Sequence, residues 1–121
     1  MRMFKILIVF LFFMGVLSSC EKEYFTSPPF DPNASVSFVN DLQPIFTAKC
    51  VASGCHNGAQ SPNLLAGQAY ANLLDKGLVD TLNPKQSILM IKLNTNMPPG
   101  KLPPADINKF LTWITQGAQE N

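Results

Sequence analysis

Histidine is nearly missing from this chain: His56 is the only one among 121 residues. That scarcity excludes catalytic or metal centres needing two imidazoles from one chain. Arginine is as scarce, with Arg2 alone, and charged residues make up only 14% of the sequence. With no basic run or charged block, the sequence argues against nucleic acid as a partner. There is no apolar stretch of the 18 or so residues that mark a membrane-spanning helix. Three cysteines, Cys20, Cys50 and Cys55, are too few for a disulfide framework. No alternating strand pattern of any length occurs and no internal repeat, which predicts an all-α fold.

What is present begins with a leader. Arg2 and Lys5 precede an almost unbroken apolar run from Ile6 to Leu17. The run is too short to cross a bilayer comfortably and has the form of a secretory signal core. Leu17-Ser18-Ser19-Cys20 follows it and resembles the bacterial lipobox. That resemblance implies cleavage before Cys20 and lipid on the new N-terminal cysteine, in an exported protein anchored to a bacterial membrane. The protein would then face either the periplasm or the cell exterior. Removing residues 1–19 takes away Arg2 and Lys5, so seven lysines face eight acidic side chains, a net charge of −1. Cys20 is spent on the anchor, and Cys50 and Cys55 remain as a pair in a disulfide-permissive compartment.

Residues 20–37 read as a tether. Pro28, Pro29 and Pro32 lie among charged and small residues with no sustained apolar period. The folded domain is expected over 38–121. Phe38, Val39, Leu42, Ile45 and Phe46 predict an apolar helical face, capped by Ser37 or Asn40 and ending near Lys49. A second helix is expected from about Gln68 to Lys76, with Tyr70, Leu73 and Leu74 on one face and Gly77 as its stop. A third is expected with Asn83 as cap and Pro84 in first position, burying Ile88, Leu89 and Ile91. Residues 94–104, with Met97-Pro98-Pro99-Gly100 and Pro103-Pro104, form a stiff loop. The last helix runs from about Pro104 to Gln116. It buries Ile107, Phe110, Leu111 and Ile114, is flanked by Trp113, and stops at Gly117.

Chemistry is concentrated in Cys50-Val51-Ala52-Ser53-Gly54-Cys55-His56. Three uses are open to these side chains. Structural zinc takes four ligands, and only two thiols and one imidazole are at hand. A Cys50–Cys55 disulfide would close a short loop, where closure stabilises little, and leave His56 incidental. Covalent haem attachment uses both thiols and the histidine: the thiols bond the haem vinyl groups and the adjacent His ligates the iron. A haem would also supply a large apolar centre to a domain of about 84 residues, a size at which one core is marginal. With no second histidine, the other axial ligand falls to Met97, held by prolines, or to Met90, which sits at core spacing in the third helix.

From about Phe38 onward the chain resembles a mono-haem cytochrome c domain of the type found in bacterial lipoproteins and planctomycete-type cytochromes. The resemblance is carried in order by Pro44-Ile45-Phe46, Cys50 with Cys55-His56, Tyr70 to Leu74, Ser87 to Leu93, Met97-Pro98 and Trp113-Ile114 before Gly117-Ala118. The gap of four residues between the cysteines departs from the usual two. The resemblance implies a small all-α, cytochrome c-like fold of three to five helices, wrapped around one covalently bound haem c. Cys50 and Cys55 would form the thioethers, His56 the proximal iron ligand and Met97 the distal one. The implied activity is one-electron transfer to redox partner proteins by transient docking, with Lys49, Lys92 and Lys101 as candidate steering charges. Two alternatives are a haem sensor or peroxidase-like protein with an open distal site, and a haem-free structural lipoprotein closed by a disulfide.

Overall fold

Phe38, Leu42, Phe46 and Cys50 recur at strict four-residue intervals, and all four are buried. The structure, a computed structural model, describes residues 28–52, 54–95, 97 and 102–121. The leader 1–19, Cys20 and residues 98–101 lie outside the described residues. Helix α1 covers 38–51 and is built from a π turn at Phe38–Leu42, an α turn at Gln43–Phe46 and a second π turn at Thr47–Val51. In a regular α-helix a four-residue step overshoots one turn by about 40°, so such a stripe spirals off its face. The wider i→i+5 bonding of the π turns unwinds the helix and keeps the stripe in line. Val39, expected on the apolar face, is one step off that line and is 54% exposed. Of the two candidate caps Ser37 serves: its Oγ accepts from the Asn40 amide at 3.0 Å, while Asp41 accepts from the Ser37 amide at 2.8 Å.

Helix α2 spans Ala69–Asp75 and α4 spans Pro104–Thr115. Both end in the same backbone motif. At α2 the Gly77 and Leu78 amides donate to Leu74 and Leu73 carbonyls, with Gly77 at φ +63°. At α4 the Gly117 and Ala118 amides donate to Ile114 and Trp113, with Gly117 at φ +95°. Only glycine takes that left-handed position without strain, and each predicted stop falls where the sequence reading puts it.

The third expected helix is instead two pieces. A 3₁₀ turn at Pro84–Gln86 is separated from helix α3, Ile88–Asn94, by Ser87 at φ −50°, ψ 135°. Ser87 is buried because its Oγ accepts from the Asp80 amide at 2.9 Å and donates to the Asp80 carbonyl at 3.2 Å. Asn83 does not cap; the Asp80 carboxylate collects the Leu82 and Asn83 amides and the Asn83 side chain. Those bonds to the ionised form hold the Asp80 carboxyl below its ordinary range. The break rotates α3, so Leu89, Met90 and Leu93 are buried while Ile88 and Ile91 are about half exposed.

Among the described residues every regular element is helical, and the core lies where α1, α2, α3 and α4 meet. Phe38 packs on Trp113 and Phe46 on Phe110, each pair with centroids 5.1 Å apart, and Tyr70 meets Phe38 edge-on at 5.4 Å. Trp113, expected at the flank of its helix, is fully buried in this cluster. Its indole N–H donates to the Gln119 carbonyl at 2.7 Å, and the Tyr70 hydroxyl donates to Ala118 at 3.1 Å, so the buried polar tips are satisfied.

Two straps finish the packing. Asn108 and Thr112 of α4 and Gln116 at its C-cap, four residues apart, bond the carbonyls of Pro28, Asp31, Pro32 and Ala34, laying residues 28–34 along that helix. At the other end Asn121 closes on the start of α1. Its side chain accepts from the Phe38 amide at 2.8 Å and donates to Val36, and its main-chain oxygen accepts from Ser37 and Val39. Asn121→Ala removes the two side-chain bonds and is expected to cost about 1–2 kcal/mol, read as a lowered urea midpoint at unchanged slope.

Candidate cofactor site

The buried stripe of α1 ends at Cys50, and the chain there turns back on itself. Ala52 donates to Thr47, Gly54 to Val51 at 2.8 Å, and the His56 amide to the Cys50 carbonyl at 3.1 Å. Gly54 sits at φ +79°, so the long gap between the cysteines is taken up by a left-handed turn that glycine permits. A Cβ there would meet nothing within 4 Å, so it is the backbone angle that calls for glycine.

His56 is buried and held at three points. Besides the bond to Cys50, its carbonyl accepts from the Leu64 amide at 2.8 Å, and its Nδ1 lies 2.9 Å from the Pro62 carbonyl. A carbonyl can only accept, so Nδ1 carries a proton, and in the neutral ring the lone pair is on Nε2. Such a bond fixes the tautomer and plane of a ring that ligates through the other nitrogen. The loop is tied to α1 in turn, because the Gln43 side chain donates to the Leu64 carbonyl at 3.0 Å.

Beside His56 lies a cavity of about 300 Å³. Phe46 and Cys50 of α1 form one wall, and Leu73, Lys76 and Leu78 at the end of α2 another. Helix α3 presents Ile88, Leu89, Lys92 and Leu93 to it; the loop 56–64 adds Gln60, Ser61, Pro62 and Leu64, and Met97 borders it. A mostly apolar hollow with a few convergent polar groups is the ordinary form of a cofactor or ligand site. The half-exposed face of Ile88 is explained by this hollow rather than by solvent contact alone.

The candidate residues separate clearly. Cys50, His56 and Met97 share the cavity, Met97 being 46% exposed and Cys50 buried. Cys55 is half-buried and not on the cavity wall, yet close enough for its charge to act on Cys50. Met90 is packed in the core and does not reach the cavity. Lys92 is on the wall, Lys49 is exposed and away from it, and Lys101 and Cys20 lie outside the described residues. Among the described residues no three His, Cys, Asp or Glu side chains gather as a metal cage. Sequence reasoning missed Lys76, which looks like a solvated helix-end lysine, and the Pro62 carbonyl, which no side-chain pattern can announce.

Burial first, and the charge of Cys55 second, push the Cys50 thiol above its ordinary value of 9.0. The folded chain therefore favours the neutral thiol, and the stability this brings is fully present below the unfolded pKa. It is lost as pH rises through the folded value. In the haem-free chain the urea midpoint is expected to fall above about pH 9, more steeply in the parent than in Cys50→Ala. Parallel curves for the two would remove Cys50 as the cause.

No family model matches the chain, and no curated protein or solved structure is significantly similar to it.

Proposed function

We propose that this chain is a membrane-anchored c-type cytochrome, an electron carrier rather than an enzyme, with one haem c in the cavity beside His56. The observation that carries the reading is the convergence of Cys50, His56 and Met97 on one largely apolar hollow, with the His56 tautomer set by Pro62. The donor set fits: one imidazole nitrogen and one thioether sulfur are the axial pair of high-potential cytochromes, and thiols suit covalent attachment. Bound there, a haem would supply a one-electron iron couple.

The remaining work belongs to the protein. Hydrogen-bonded through Nδ1, His56 is held ready to ligate through Nε2. Cys50 and Cys55 would hold the group as thioethers, each thiol adding across a vinyl double bond with sulfur bonding one carbon and the thiol hydrogen passing to the other, and the turn at Gly54 brings the two side chains back toward each other. Met97 would offer its thioether sulfur as the second protein ligand. Phe46, Leu73, Leu78, Leu89 and Leu93 line the cavity and would keep water from a bound haem, which would disfavour the more highly charged oxidised state and raise the potential. Cys20 would carry the lipid that holds the domain at a bacterial membrane, and redox partners would dock transiently at the cavity mouth.

Intact mass of the mature protein, made in a host competent for cytochrome c maturation, tests the reading. It is expected to show one covalently retained haem and no alkylatable thiol at Cys50 or Cys55. A haem-free chain with a Cys50–Cys55 disulfide would overturn it.

A further inference from the structure

The cavity wall carries charge of one sign only. Lys76 and Lys92 both line it, and among the described residues no Asp or Glu does. Neither ammonium is in an ion pair among the described residues, where Lys109–Asp106 is the pair formed. The two lysines come from different elements that converge on the same hollow. Lys76 is the C-cap of α2, held by the turn that Gly77 completes. Lys92 stands one turn after Ile88 on the cavity face of α3. Ammonium groups at the edge of an apolar cavity suit a ligand with an apolar body and acidic ends, because the low-dielectric wall strengthens the attraction.

We propose that Lys76 and Lys92 form an anion-recognition pair at the mouth of the cavity, holding the carboxylates of a dicarboxylic tetrapyrrole. The inference rests on the haem reading and adds the orientation of the group: its acidic edge lies toward the ends of α2 and α3. The pair would act before any covalent bond forms, selecting the ligand and its direction of entry.

The test uses the haem-free full chain and metal-free probes, with quenching of Trp113 as the readout. Protoporphyrin IX is expected to bind more tightly than its dimethyl ester. Lys76→Gln and Lys92→Gln should each weaken protoporphyrin binding about threefold to tenfold while leaving the ester unchanged. Arginine at either position should restore the preference, and Lys85→Gln, off the cavity wall, should not alter it. Equal binding of acid and ester by the parent chain overturns the pair and leaves the haem reading standing. Tighter binding of dodecanoate than of protoporphyrin also overturns it, making the cavity a fatty-acid site. Failure to bind either porphyrin, together with a haem-free mature protein, overturns both.

Discussion

Replacing His56 with alanine is expected to abolish the low-spin haem spectrum of protein from a maturation-competent host. No other imidazole exists in the chain to take over. The loss should come from ligation, not from collapse of the fold. In the haem-free protein His56→Ala deletes the one bond from Nδ1 to Pro62, leaving that carbonyl unpaired at about 1–3 kcal/mol. The helix core around Phe38, Phe46, Phe110 and Trp113 is not touched. Circular dichroism of the haem-free variant should therefore remain helical while the loaded spectrum disappears. A His56→Ala protein with the parent's spectrum and potential would sink the assignment.

Met97→Ala carries the second large effect. On the proposed ligation, removing a thioether that favours reduced iron is expected to lower the midpoint potential by on the order of a hundred millivolts or more. It should also turn the oxidised protein high-spin and make cyanide binding fast. Met97 is well placed for a clean experiment, because at 46% exposed its truncation opens no core void. Met90→Leu is the matched control: Met90 is buried, and a volume-conserving swap there should cost less than about 1.5 kcal/mol without moving the potential. An unchanged oxidised spectrum and midpoint potential in Met97→Ala would make the ligand assignment wrong, whereas a parent protein that is itself high-spin and binds cyanide rapidly would favour the open-site, sensor or peroxidase-like reading.

Helices α1, α2 and α4 were legible in the sequence because Leu42, Phe46, Leu73 and Phe110 keep helical spacing and Gly77 and Gly117 mark the ends. The face of α1 was less so. Val39 fits an ordinary α-helical stripe, and only the two π turns, invisible in residue spacing, shift the buried line to every fourth residue. Helix α3 was misread for a different reason. Pro84 and Gln86 are good helix-start residues, but Ser87 bonds to Asp80, seven positions back, and that contact breaks the run. At the site, the cysteine and histidine motif and the proline-flanked Met97 were legible by chemistry. The wall that joins them was not, because it assembles from the ends of α2 and α3, whose approach depends on tertiary packing.

The strap along α4 has a consequence for reach. A tether running from Cys20 to Ser37 would let the domain roam about 60 Å from its anchor when fully extended. With Pro28 already pinned by Asn108, at most eight residues would separate the domain from the proposed anchor, a span of about 30 Å at most. The domain would then skim the lipid surface and not sweep the volume above it. Its encounters would be largely a two-dimensional search, favouring partners fixed in the same membrane. Cutting the strap with Asn108→Ala, Thr112→Val and Gln116→Ala would lengthen that span without touching the cavity.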